Sequence, residues 1–156
     1  MTLLDLGEGV LRLFGAFYVV GAVFLANQLR MALFMDRAID TLDRLASEIA
    51  ADAGQPLRPT TPNDSGRTWW WAVGGVILFG AGVTMALGLR LAVPALALLV
   101  LHQLAYFVRQ RRRELAAATP DAAEDARPTQ ATRNSFFVCL VLTVLAAWLE
   151  RNGVLS

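Results

Sequence analysis

Apolar positions in this chain come in four long blocks. The first covers residues 10–29 and closes on the polar group Asn27, Gln28 and Arg30. A helix needs about 20 mostly apolar residues to cross the hydrocarbon core of a bilayer, so this block predicts a membrane span. Residues 69–108 carry a single charge, Arg90, near their midpoint. That length predicts two spans, 69–88 and 90–108. Gly88-Leu89-Arg90 is the predicted hairpin tip, because glycine readily takes the left-handed conformation that ends a helix. Pro94 then falls near the first turn of the third span, where a missing N–H costs little. The fourth block, residues 135–151, is short and crosses only if it begins near Asn134 and reaches Asn152.

Two stretches lie between these blocks. In residues 31–51 the positions Met31, Phe34, Met35, Ala38, Ile39, Leu42, Leu45, Ala46 and Ile49 recur at helical spacing. This predicts an amphipathic helix that continues the first span, with Asp40 and Arg44 placed to pair. Such a helix can lie on the membrane surface or dock on a partner. Residues 53–67 and 116–133 are rich in Gly, Pro, Thr, Ala and Asp, have no period, and read as flexible loops. The expected fold is an all-α integral membrane protein forming a single membrane domain over residues 1–156. Its four-transmembrane-helix bundle carries an amphipathic cytoplasmic extension of the first span.

Charge sets the expected orientation. All fourteen basic residues are arginine, and the formal net charge is only +1. The small net charge gives no signal for nucleic acid, and the arginine bias is read as that of a GC-rich genome, because arginine codons are GC-rich. Arg37, Arg44, Arg58 and Arg67 lie between spans one and two. Arg109, Arg111, Arg112, Arg113, Arg127 and Arg133 lie between spans three and four, and only Arg12, Arg90 and Arg151 lie on the other side. Arginine accumulates on the cytoplasmic side, so both long loops are expected inside and both termini outside a bacterial inner membrane. Trp69, Trp70 and Trp71 would mark the inner interface and Trp148 the outer one. The acidic opening (Asp5, Glu8) lacks the basic start of a secretory signal, which predicts no cleaved leader.

Several chemistries are excluded by composition. Without lysine there is no Schiff base and no lysine to hold a phosphate in a P-loop. One cysteine, Cys139, and one histidine, His102, cannot supply a disulfide framework or a Cys/His zinc cluster. No metal site and no catalytic set are expected. Polar groups at membrane depth are costly and are site candidates by default. His102, Gln103 and Tyr106 near the end of span three, with Asn27, Gln28 and Arg30 on span one, are expected at similar depth as one polar pocket. Two small-residue stripes, Gly80/Thr84/Gly88 and Ser135/Cys139/Thr143/Ala147, are candidate helix-packing faces. The run Arg109, Arg111, Arg112 and Arg113 is a candidate contact for anionic lipid.

The run Gly74-Gly75-Val76-Ile77-Leu78-Phe79-Gly80-Ala81-Gly82, the hairpin Gly88-Leu89-Arg90-Leu91-Ala92 and the Ala/Leu-rich helix ending in His102 resemble the central hairpin of the DoxX-like family of small four-helix membrane proteins. Leu11-Arg12-Leu13 at the opening of span one is similar too. The resemblance implies a four-helix membrane fold. Because that family includes a small subunit of a quinone-linked thiosulfate oxidoreductase, it also allows a quinone-linked role. The chain departs from the family where Asn27-Gln28-Leu29-Arg30 closes the first helix.

Three functional readings follow. The first is a non-catalytic accessory or assembly subunit of an inner-membrane complex, partnered by another membrane protein or by a second copy of itself. It needs close-packing faces and a docking helix. The second is a quinone-linked redox subunit using the His102 pocket, with no cofactor bound by this chain alone. The third is a small oligomeric transporter or channel. The absence of any acidic residue deep inside a span disfavours proton coupling through a carboxylate.

Overall fold

The computed structural model describes residues 2–52 and 65–155, and among these every element is helical. The helices are α1 (Leu3–Asp52), α2 (Ser65–Ala86), α3 (Ala92–Ala116), α4 (Pro120–Asp125) and α5 (Gln130–Arg151). By length and composition α1, α2, α3 and α5 can each cross a membrane. At 1.5 Å per residue α2 and α5 rise about 33 Å, enough for a hydrocarbon core of about 30 Å. The chain therefore reads as a multi-pass membrane protein.

The four long helices form a ring in which α1 touches α2, α2 touches α3, α3 touches α5 and α5 closes on α1, while α4 rests on α3. Helices α1 and α3 stand at opposite corners, with no close backbone approach between them. The core is apolar and thin. Leu11, Met85, Leu96, Leu149 and Leu155 are fully buried, and no polar or charged residue among those described is buried. Large apolar side chains such as Phe17, Val76 and Val144 point outward. Lipid tails are as apolar as leucine, so this arrangement costs nothing within a bilayer, and close packing must hold the helices together.

Glycine supplies that closeness at one point. A Cβ on Gly82 would lie 2.9 Å from the Val19 amide nitrogen and 3.0 Å from the Gly15 carbonyl oxygen. A Cβ on Gly15 would clash with the Ala86 backbone and come within 2.8 Å of the Gly82 carbonyl oxygen. The backbones of α1 and α2 therefore touch where both lack a side chain. Gly80 has nothing within 4 Å of its Cβ position and is exposed. The close approach thus falls two residues along from the expected stripe.

The hairpin tip forms as the sequence implies. Gly88 has φ +68°. Its N–H donates to the Met85 carbonyl at 3.1 Å and that of Leu89 donates to the Thr84 carbonyl at 2.9 Å, the paired bonds of a glycine-terminated helix. Helix α5 ends the same way at Gly153, with φ +73° and bonds from Gly153 to Glu150 and from Val154 to Leu149. The turn after α5 folds Leu155 into the core, where its carbonyl accepts from Arg90 Nε at 3.2 Å.

Three regions differ from expectation in detail. Helix α1 is continuous from Leu3, so span and extension are one element. Along the extension Arg44 pairs with Glu48 at 3.2 Å rather than with Asp40. Of the loop expected over residues 53–67, residues 53–64 lie outside the described set and 65–67 already belong to α2. The stretch 116–133 contains α4 and the start of α5. Glu114 anchors it, accepting from Arg111 at 2.8 Å and from Arg127 at 3.0 Å, and Thr129 caps α5 by accepting from the Thr132 N–H at 3.3 Å.

Candidate functional site

His102 and Gln103 are adjacent on α3, so they point about 100° apart. His102 faces α2. Its ring stacks on Trp70 with centroids 4.6 Å apart and planes 20° from parallel. The space for that ring comes from Gly74, where a Cβ would sit 2.8 Å from His102 Cε1. His102 is thus a tie between α3 and α2, and its Nε2 is buried with no partner among the described groups.

Gln103 faces α5. Its amide Nε2 donates to Cys139 Sγ at 3.5 Å, and Cys139 Sγ lies 3.2 Å from Tyr18 Oη on α1, a contact in which either atom can donate. Tyr18, Cys139 and Gln103 therefore link three of the four long helices inside the bundle. Tyr18 was not singled out by the sequence as a polar candidate. A tyrosine in an apolar span gives only a weak signal, because its ring also serves as packing. Among the described residues, Gln103 Oε1 and Trp70 Nε1 are the other buried side-chain polar atoms without a partner.

The expected pocket does not assemble as one unit. Asn27, Gln28 and Arg30 are exposed on α1, at the opposite corner of the ring from α3. Tyr106 sits one turn beyond His102, where its hydroxyl accepts from Gln110 Nε2 at 2.8 Å. The packing residues divide as well. Cys139 is buried, but the buried face of α5 continues through Leu142, Ala146 and Leu149, while Ser135 and Ala147 are exposed. Thr143 and Thr84 turn their hydroxyls back to carbonyls of their own helices, Cys139 at 2.7 Å and Gly80 at 3.0 Å. Gly88 serves the turn, with the Arg12 guanidinium packed over it.

The arginine run splits too. Arg111 and Arg112 are exposed, with Arg111 on Glu114. Arg109 and Arg113 line a cleft of about 650 Å³ between the start of α2, the end of α3 and the segment before α5. Its walls also hold Trp70, Trp71, Tyr106 and Arg127. The Arg109 guanidinium lies 5.6 Å above the Trp70 ring, a cation–π distance. A second cavity of about 390 Å³ runs between α1 and α2, from Leu29 and Trp71 to Ala22 and Phe79, and is walled by apolar side chains. Trp71 belongs to the walls of both. Arg127 escaped the sequence reading because its role depends on a fold-back to Glu114. Among the described residues no group of His, Cys, Asp and Glu is clustered as a metal site.

The arrangement offers polar ties, a cationic cleft and an apolar groove, and among the described residues no nucleophile–base pair is brought together. No family model matches the chain, and neither a curated protein nor a solved structure was found to match it.

Proposed function

We propose that this protein is an accessory or assembly subunit of a bacterial inner-membrane complex, with its arginine-rich end in the cytoplasm and a projecting helix that docks a partner. The observation that carries this reading is the second half of α1. Past Leu29 the helix runs unbroken to Asp52, and Ile49 lies about 30 Å beyond Leu29 by helical rise. Along it Met31, Phe34, Met35, Ile39, Leu42, Leu45 and Ile49 are each at least half exposed. No proline or glycine interrupts residues 22–52 to turn the helix onto the membrane plane. A stripe of this size beyond the hydrocarbon core, outside the lipid that covers the spans, fits burial by another protein.

The test is co-purification from the native membrane in lipid nanodiscs, read by native mass spectrometry. A polypeptide of fixed stoichiometry is expected with the wild-type chain and is expected to be lost from a Leu42→Asp, Ile49→Asp variant whose spans still insert. Identical complexes from both chains would remove the docking role. The orientation is tested with a membrane-impermeant maleimide. A cysteine at Asn152 should label from outside, and one at Thr119 only after permeabilisation.

A second reading, a quinone-linked redox subunit, draws on the unpartnered Nε2 of His102. It requires the imidazole to turn toward a ligand, since neither cavity reaches it. Unchanged quinone reduction by membranes carrying His102→Ala would end that reading.

A further inference from the structure

The cleft carries charged groups and the groove carries none among its described walls, yet they share Trp71 as a wall. Three guanidiniums, from Arg109, Arg113 and Arg127, line the cleft. Glu114, next to Arg113 in the chain, holds Arg111 and the Nε of Arg127. Guanidinium forks match phosphate oxygens in geometry as well as charge. The cleft volume of about 650 Å³ lies within the range that takes a small ligand. The groove is the opposite, lined by Ala22, Leu25, Ala26, Leu29, Val76 and Phe79 among others, and runs along the helices toward the middle of the spans.

We propose that cleft and groove are two halves of one binding site for an anionic phospholipid. The headgroup phosphate seats among Arg109, Arg113 and Arg127, and one acyl chain lies between α1 and α2. A soluble phosphate ester would account for the cleft alone. The groove that begins at the shared tryptophan makes a lipid the better fit, because a chain leaving the headgroup at Trp71 meets apolar wall at once. Aromatic rings of this amphipathic kind stand at the level where headgroups give way to tails. The inference rests on the chain being membrane-embedded and is independent of the docking role of α1.

The full-length chain, delipidated in neutral detergent, is titrated with phosphatidylglycerol, phosphatidylcholine and glycerol 3-phosphate, with adducts read by native mass spectrometry. Phosphatidylglycerol is expected to bind as one retained adduct and more tightly than phosphatidylcholine, with glycerol 3-phosphate not retained. An Arg109→Gln, Arg113→Gln variant is expected to lose roughly thirtyfold in phosphatidylglycerol affinity, from two arginine–headgroup interactions. An Arg112→Gln, Arg133→Gln variant makes the same change in charge outside the cleft and is expected to bind as wild type. Ala26→Trp fills the groove, leaves every arginine in place, and is expected to abolish the adduct even if the first variant does not fold. Equal loss in the two arginine variants would reduce the effect to general charge and overturn the site. Binding of glycerol 3-phosphate as tight as that of the lipid, or full lipid binding by Ala26→Trp, would overturn the lipid assignment.

Discussion

Helix α1 is one element with two different surroundings. From Leu3 to Leu29 it packs on α2 and α5, with Leu11, Tyr18 and Ala22 buried and its backbone against Gly82. From Arg30 to Ile49 no residue is buried, although apolar residues keep recurring at helical spacing. The first half holds its place through small residues, which let neighbouring backbones touch in a solvent that gives apolar groups no reason to associate. The second half carries large apolar residues beside Asp36, Arg37, Asp40 and Arg44, a composition suited to burial against another protein surface in water. Small-residue contact builds the bundle, and large-residue exposure leaves a face for something else.

The contrast is broken most severely at the glycine contact. Gly15→Leu places a branched side chain into the backbone of α2 and is expected to destabilise the bundle by about 3 kcal/mol, the upper end of overpacking costs. Unfolding of purified protein in mixed detergent would show it as a lowered midpoint. Next comes the projecting half. The paired change Leu42→Asp and Ile49→Asp should weaken partner binding by about 2 kcal/mol or more, as for interface anchors. The same unfolding midpoint should stay at its wild-type value. A fall in that midpoint would mean the stripe packs within the chain. Tyr18→Phe removes the hydroxyl from Cys139 and keeps the ring. A loss of about 0.6 kcal/mol is expected, the usual worth of an interhelical hydrogen bond within a membrane. Smallest is Gly80→Ala, which meets open space. It should leave stability unchanged or raise it by less than about 1 kcal/mol. A large loss there would move the α1–α2 contact to the stripe expected from spacing.

The spans and the hairpin tip were legible because both follow from local rules. Hydrocarbon thickness sets the block lengths, and a left-handed residue after Leu87 asks for glycine. The extension of α1 was legible from its period alone. The facing of each helix was not. Gly80 and Gly82 lie 200° apart around α2, and spacing cannot say which meets α1. The same ambiguity hid the true face of α5, where leucine and alanine rather than serine and threonine turn inward beside Cys139. The polar groups of spans one and three were expected at similar depth. They do not meet because the ring puts α1 and α3 at opposite corners, and nothing in a sequence of four spans fixes that order. The cationic cleft needed Arg127 to return to Glu114 across α4, a contact between positions that no helical spacing connects.

The unbroken course of α1 also makes it a lever. The fulcrum is the Gly15–Gly82 contact, where backbone meets backbone with no side chain to cushion a change of angle. From Gly15 to Asp52 the arm measures about 55 Å by helical rise, so each degree of change in the crossing angle moves the far end by about 1 Å. A partner gripping the Leu42–Ile49 stripe would feel small rearrangements inside the bilayer as displacements several times larger than those that caused them.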